Sequence, residues 1–167
     1  QAFVRKGGVI VALENAASTL ASNADWGIKV KENVKEDKLT VQNLVKYADR
    51  EKESIKSSIP GAIYKTYMDE THPLGFGTGG MYFSLKQDMV LYEPSSSAWN
   101  VGSFKKDSYI TGFAGVKAKA ALSEGVLLGV KQIGAGKIVY MADDPIFRNF
   151  WEGGKLILTN AVFLHGQ

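Results

Sequence analysis

Apolar and polar positions follow two different periods along the chain, which predicts a mixture of strands and helices. The run Val9–Leu13 is apolar and rich in β-branched residues, without a polar face, as is typical of a strand covered on both sides of a sheet. A glycine-centred hairpin is predicted where Val126–Ile133 and Lys137–Met141 flank a Gly-Ala-Gly turn. The other segments predicted as strands are Ile63–Met68, Met81–Leu85, Met89–Tyr92 and Tyr109–Phe113.

Helical periodicity appears in three places. A short helix ending at Gly27 is predicted for "ENAASTLASNADWG". A second helix is predicted from Val41 to about Lys56, because apolar residues recur on one face, and the charged stretch before it, Gly27–Thr40, is predicted to be exposed. The segment Leu156–Leu164 is apolar nearly all round, which predicts a buried helix. Together with the strands, this indicates an α/β fold with a mixed sheet.

The beginning of the chain predicts structure that lies upstream. "QAFVRKGG" resembles the last turn of a helix followed by a glycine break, and a strand that suits the centre of a sheet comes next. We therefore expect residues 1–167 to be the C-terminal portion of one α/β domain that lacks its N-terminal strands. A fragment of this kind is expected to self-associate through the surface that the upstream part would cover.

Composition excludes several classes of function. The 167 residues fit one domain, and the net charge of +3 comes from lysines and arginines interspersed with acids, which argues against nucleic-acid binding. The chain has no cysteine, so disulfides and thiolate metal sites are excluded. Its longest apolar runs are far too short to span a bilayer, and the first residues do not form a signal-peptide pattern.

The stretch "DETHPLGFGTGG" contains glycines with the spacing of a dinucleotide-binding fingerprint. Such a fingerprint must open a helix, whereas "MYFSL" follows here and alternates like a strand. The glycines of Gly75–Gly80 are therefore predicted to allow positive φ in a connection between two strands.

Two groups of polar residues are candidates for chemistry. His72 could act as a general base with Asp69 or Asp143, although its spacing to the second histidine does not suit a zinc site. Asp143 and Asp144 could form a carboxylate pair, but we expect them to cap a helix that begins near Pro145. Arg148, one turn later, is expected to form an ion pair with one of them. The candidate binding or structural cluster is thus Asp69, His72, Asp143, Asp144 and Arg148.

A second candidate surface is the loop "YEPSSSAWNVGS". Tyr92, Trp99 and Asn100 belong to it, and Phe104 and Tyr109 follow closely. Exposed aromatic residues of this kind suit contact with a carbohydrate or a protein, whereas a Trp99 that folds back onto the core would serve packing. The sequence leaves both interpretations open.

Several longer strings resemble one known family. "YADREKESIKSSIPGAIYKTYMDETHPLGFG", "WNVGS", "AGVKAKAAL" and "GAGKIVYMADDPIFRNFWEGGKLILTNAVFLHG" are similar to the C-terminal region of large bacterial zinc carboxypeptidases of the carboxypeptidase A type. In that family a peptidase domain comes first and a class I glutamine amidotransferase-like domain comes last. The resemblance implies a three-layer α/β sandwich of flavodoxin-like architecture.

The resemblance also implies that, in the parent protein, catalysis belongs to a different domain from this one. The parent would remove C-terminal residues from peptides, outside the cytoplasm, with one zinc ion held in the peptidase domain that this chain lacks. No cofactor is expected in this chain, and no position matches the zinc motif. Glutamine hydrolysis does not carry over to these residues, because it needs a cysteine nucleophile and a downstream His–Glu pair, and neither occurs here. An active elbow upstream of Gln1 stays open at this point. We therefore expect a non-catalytic accessory domain that packs on its own peptidase domain. The alternatives are a carbohydrate- or cell-surface-binding module and a hydrolase that uses His72.

Overall fold

The computed structural model describes residues 1–32, 41 and 44–164. Its five α-helices are α1 (Ala2–Arg5), α2 (Glu14–Ala21), α3 (Arg50–Ser57), α4 (Val116–Ala121) and α5 (Glu152–Phe163). Its strands are β1 (Val9–Leu13), β2 (Gly61–Met68), β3 (Met81–Lys86), β4 (Trp99–Phe104), β5 (Tyr109–Phe113), β6 (Gly125–Ile133) and β7 (Gly136–Met141). Short 3₁₀ turns cover Ala24–Trp26, Tyr47–Asp49, Pro73–Gly75 and Phe147–Asn149.

The strands form one mixed sheet of seven strands in the described residues, in the order β1-β7-β6-β4-β2-β3. β1 and β7 are parallel, with Leu13 opposite Met141, and the other pairs are antiparallel. β5 lies outside this path and pairs with the first half of β2, while β4 pairs with its end. The predicted α/β fold with a mixed sheet is therefore confirmed.

Strand β1 lies at one end of the sheet. Its predicted bounds are confirmed, and β7 is its neighbour on one side. Ala12 is buried, whereas the other four residues are half-buried. The second neighbour that the apolar run suggested is not among the described residues.

The two strands β6 and β7 form the predicted hairpin, and their side chains make up much of the core. Buried aromatic rings join this core to the rest of the sheet. The Tyr92 ring meets the Tyr140 ring edge-on at 4.9 Å, and the Tyr64 ring stacks on Phe104 at 5.0 Å. Burial raises the pKa of Tyr64, Tyr92 and Tyr140 to about 12.

The helix predicted from Val41 begins later, at Arg50. Val41, Leu44 and Val45 are exposed, so the apolar periodicity did not mark a buried face. The helix that does form is supported by charges at i and i+3, such as the ion pair between Lys56 and Glu53. Residues 33–40 of the predicted exposed segment lie outside the described part, and its described start is not exposed throughout, because Ile28 is buried.

Two further predictions of local structure were wrong, and one helix was missed. Met89–Tyr92 is not a strand, because only Tyr92 forms bridges, to Val30 and Val126. Strand β4 was predicted as a loop, and helix α4 was not predicted. The pattern in β4 is broken by Asn100 and Gly102. Gly102 leaves space for Leu128, because an added Cβ would lie 2.5 Å from a methyl of that side chain.

Helix α5 is confirmed, although its burial is one-sided. Its buried residues are Gly154, Ile157, Asn160 and Ala161. The other side exposes Leu156, Val162 and Phe163, and Leu164, just after the helix, is exposed as well. The prediction of burial all round was therefore wrong, since apolar composition cannot indicate which side of a helix is covered.

Candidate functional site

The C-terminal ends of the two parallel strands meet at one edge of the sheet. Leu13 and Met141 are paired there, so the residues that follow them, Glu14 and Ala142-Asp143, emerge side by side. In α/β sheets the ends of parallel strands are the usual place for ligand-binding groups. We call the residues that follow β1 and β7, together with their partners on β3, the strand-end cluster: Glu14, Tyr82, Ser84, Lys86, Asp143 and Asp144.

Glu14 forms a sharp elbow between β1 and α2. It follows the strand directly, begins the helix and has φ of 45°, in the left-handed region that non-glycine residues rarely adopt. A backbone held in this way costs about 1–3 kcal/mol and is often found at functional sites. Sequence reasoning missed Glu14, although one signal was present: the predicted strand ends at Leu13 and leaves no residues for a turn before the helix.

Asp143 is the buried centre of the cluster. It is 3% exposed, and its Oδ2 atom accepts hydrogen bonds from Ser84 Oγ at 2.6 Å and from Tyr82 Oη at 3.1 Å. Its Oδ1 atom is buried and has no hydrogen-bond partner among the described residues. Burial raises the pKa of the Asp143 carboxyl, while the charge of Lys86 and the bonds from Ser84 and Tyr82 oppose the rise.

Lys86 places a buried positive charge next to this carboxyl. The residue is 1% exposed, and its Nζ atom donates to the carbonyl oxygens of Val90 at 3.0 Å and Ala142 at 2.9 Å. It also forms a 2.7 Å ion pair with the half-exposed Asp88. Nearby, a cavity of about 20 Å³ is lined by Glu14, Lys86, Asp88, Asp143 and Asp144, among others. This volume accommodates one water-sized group, so the cluster lacks space for an organic substrate.

Asp143 and Asp144 do not cap a helix beginning near Pro145, so that prediction was wrong. Asp144 Oδ1 accepts a 2.9 Å bond from the backbone N–H of Ile146, which closes a local turn, and α5 begins only at Glu152. The expected ion pair of Arg148 is also not formed within the described chain. The Arg148 guanidinium lies 5.1 Å from the Phe147 ring, and its own φ of 48° turns the chain away from helical geometry.

Asp69 and His72 form a separate group in the connection between β2 and β3. Asp69 Oδ1 accepts from the backbone N–H of Thr71 at 3.0 Å and from its hydroxyl at 2.6 Å, and these bonds lower the pKa of Asp69. His72 Nδ1 accepts a 3.2 Å bond from the N–H of Leu74. Burial lowers the pKa of His72, and the charge of Asp69 opposes this. The five polar residues of the predicted cluster therefore occupy different local environments.

The connection between β2 and β3 forms the glycine-rich turn that the sequence predicts. It carries the chain from β2 to β3 through the Pro73–Gly75 turn, and Gly77, Gly79 and Gly80 adopt positive φ. Gly75 is packed so closely that an added Cβ would lie 2.1 Å from the carbonyl oxygen of Asp69. These glycines serve a turn, and a strand follows them.

The residues of the predicted contact loop have different environments in the structure. Tyr92 is fully buried, so its proposed role as a surface contact was wrong, because the single bridges on both sides hold it in the core. Asn100 closes the loop by bonding to the backbone of Ser95 in both directions, at 3.1 and 3.0 Å. Trp99 remains 53% exposed at the start of β4, with its ring 5.9 Å from that of His72.

No group of three or more histidine, cysteine, aspartate or glutamate side chains suitable for a metal ion occurs in the described ranges. Helices long and apolar enough to cross a membrane are also missing from that part of the chain.

Comparison with known proteins finds a similar fold in one solved structure and no match by sequence. Neither a known protein family nor a curated protein matches the sequence. Among solved structures, the chain is similar to a ThuA-like protein from Bacteroides uniformis, with a TM-score of 0.52 and 12% identity over 96% of this chain. The chain spans 59% of the length of that protein. At this identity the likeness shows a shared fold only.

Proposed function

We propose that this chain is a non-catalytic accessory domain with the class I glutamine amidotransferase-like fold, in its three-layer, flavodoxin-like form without its N-terminal strands. The mixed sheet and the similarity to a ThuA-like protein support the fold. The observation that carries the non-catalytic role is the elbow at Glu14. This strand-to-helix elbow of the described residues holds a glutamate, whereas an amidotransferase uses a cysteine nucleophile at an elbow of this kind.

The surroundings of the elbow favour the same proposal. The polar groups that line its cavity include Lys86, Asp88, Asp143 and Asp144, and the histidine of an amidotransferase's His–Glu pair has no counterpart in this lining. His72 belongs to the other group, beside Leu74 and Trp99. Since the Asp143 carboxylate accepts two internal hydrogen bonds and is almost unexposed, its role is best explained as structural.

We further propose that the parent protein is a secreted or periplasmic zinc carboxypeptidase, and that this domain packs on its peptidase domain. This part rests on the sequence resemblance. The zinc would belong to the peptidase domain, because the donors here do not fit it: Asp69 is bonded to Thr71, and His72 Nδ1 accepts from a backbone N–H. A zinc site requires three or four converging ligands.

Two measurements test these statements separately. The purified chain, with and without added zinc, is assayed for hydrolysis of L-glutamine and of a chromogenic peptide with a free C-terminal carboxylate. We expect no turnover above that of the Glu14→Gln control; activity abolished by His72→Ala would instead identify a hydrolase.

The parent is tested by capturing the native protein with an antibody to this chain and sequencing its peptides. A captured protein without a linked peptidase domain would contradict the carboxypeptidase proposal alone.

One observation favours a second candidate, a carbohydrate-binding or cell-surface module. Trp99 is half exposed beside the His72 ring, and exposed indole rings suit stacking on sugars. Glycan-array binding that is lost in Trp99→Ala and kept in Trp26→Ala would support this candidate. Uniform absence of binding would remove it.

A further inference from the structure

Strand β3 is the last strand of the sheet, and its open edge can be assigned residue by residue. The N–H of Met68 donates to the carbonyl of Gly80, in register with the pairs Ala62–Lys86 and Thr66–Tyr82. In an antiparallel ladder, hydrogen-bonded pairs alternate with pairs that are not bonded. The even-numbered residues of β3 therefore bond to β2, and the backbone groups of Met81, Phe83 and Leu85 face away from it.

Two observations agree with this assignment. The Met81 N–H is directed to Thr78 of the preceding turn, and the Phe83 carbonyl accepts a 2.5 Å bond from Trp151 Nε1. Both partners lie outside the sheet. The remaining groups of the edge are the carbonyl of Met81, the N–H of Phe83 and both backbone groups of Leu85, for which the described residues contain no sheet partner.

A groove of about 380 Å³ runs beside this edge. The start of α5 and the residues before it form its second wall. Its apolar lining comes chiefly from Met81, Phe83, Phe150, Trp151 and Leu156. Phe150 is 57% exposed, and Met81 and Phe83 are both more than 40% exposed, so the lining is accessible.

We propose that this groove binds a short peptide in extended conformation, which adds to the edge of β3 and places alternate apolar side chains against Phe83 and Phe150. Unpaired backbone groups of an edge strand next to a helix-walled groove provide hydrogen bonds along an extended chain, and the pockets give preference for certain side chains. This inference does not depend on the carboxypeptidase proposal.

Area and charge favour this occupant over a second copy of the chain. The exposed parts of the five lining side chains offer on the order of 400 Å², about half of the 800 Å² per partner that a stable protein interface buries. A two-fold dimer would also place one concave groove against another. Glu152 is the charged residue among the lining side chains described, and its 2.6 Å ion pair with Lys155 balances its charge, so a neutral apolar peptide is complementary to the groove.

Trp151 also contacts the edge of β3 directly. Its bond to the Phe83 carbonyl uses one lone pair of that oxygen in the middle of the edge. A carbonyl oxygen has a second lone pair, so the bond does not prevent a peptide from pairing with the neighbouring groups. The indole lies where an incoming peptide would change its surroundings, which makes it a reporter.

The test uses a capped hexapeptide that alternates valine and threonine, titrated into the chain with tryptophan fluorescence and calorimetry as readouts. We expect saturable binding whose fluorescence change is lost in Trp151→Phe. Phe150→Ser should weaken binding by about tenfold or more, whereas Ile110→Ser, at an exposed apolar residue of β5, should bind as the wild type. Circular dichroism confirms that each variant is folded.

Two further peptides distinguish strand addition from simple hydrophobic contact. One is N-methylated at its odd backbone positions and the other at its even positions. Strand addition predicts that one of these peptides loses binding and the other keeps it, because only one edge of an added strand faces β3. Equal binding of both, tighter binding of an amphipathic helical peptide, dimerisation of the chain through Phe150, or absence of binding would each overturn the proposal.

Discussion

The hydroxyl of Ser84 donates a 2.6 Å hydrogen bond to Asp143, across 59 positions of sequence. The bond joins β3, the last strand of the sheet, to the residues that follow β7, near its other end. Tyr82, two residues before Ser84 on the same side of the strand, donates to the same oxygen. The carboxylate therefore links two parts of the sheet that are not neighbours in the order of strands.

Replacing Asp143 by alanine should destabilise the fold through this link. Two buried hydroxyls would lose their acceptor, and each buried polar group without a partner costs about 1–3 kcal/mol. Urea unfolding of Asp143→Ala, Ser84→Ala and the double variant measures the coupling, which should be at least about 0.5 kcal/mol. Asp144→Ala, which removes only a local bond to Ile146, should cost less; additive single changes would contradict the link.

Glycine at position 14 should stabilise the chain. Glu14 has φ of 45°, which glycine adopts without steric cost. Relief of this strain is expected to raise the free energy of unfolding by about 1 kcal/mol. Ala16→Gly in the same helix is the control, and it should lower stability by about 0.5–1 kcal/mol. Equal losses in both variants would show that the elbow is not strained.

Two adjacent glycines of α5 should respond in opposite ways to alanine. A Cβ at Gly154 would lie 1.6 Å from the carbonyl oxygen of Pro145, whereas a Cβ at Gly153 would meet its nearest atom, in Tyr82, at 3.6 Å. Gly154→Ala should therefore cost about 1–3 kcal/mol, because backbone must move. Gly153→Ala should be neutral or stabilising by up to about 1 kcal/mol. Melting temperatures in a common buffer decide between them, and a tolerated Gly154→Ala would contradict this packing.

Stability should depend on pH through His72. Its pKa is lowered in the folded state, chiefly by burial, so the unfolded chain binds the proton more readily. The contribution of His72 is fully present above its unfolded pKa of about 6.5 and decreases as the pH falls towards the lower folded pKa. Urea unfolding between pH 8 and pH 5 should show this decrease in the wild type and less of it in His72→Gln. An identical profile for His72→Gln would show that His72 does not contribute.

Sequence-based prediction succeeded for the elements whose hydrophobic pattern matches the burial of their side chains in the fold. The β6–β7 hairpin has apolar strands around a glycine turn, and β1 is a clear apolar run, so local preference and burial indicate the same structure. The failures have local causes. Apolar residues near Val41 suggested a buried helical face, and an Asp-Asp-Pro string suggested a helix start, but neither string contains information about the segment that packs against it.

The strand-end cluster could be predicted only in part. Asp143 and Asp144 were recognised as candidates, but Glu14, Tyr82, Ser84 and Lys86 were missed. Lys86 ends a strand whose other polar residue, Ser84, also resembles a solvent-facing position, and burial of both depends on an acceptor about 60 residues away. Contacts of that sequence separation are set by the order of strands in the sheet, which the pattern of one chain does not specify.

Strand β3 reverses the usual assignment of its two faces: Ser84 and Lys86 point inward, whereas Met81 and Phe83 point outward. This predicts two different rates of evolution within six residues. Ser84, Lys86 and Asp143 should change rarely and together, because a change in one leaves a buried group of another unpaired. Met81 and Phe83 are free of that constraint, so their identities should vary with the ligand preference of each relative. An alignment of related sequences would therefore show alternating conserved and variable columns along this one strand.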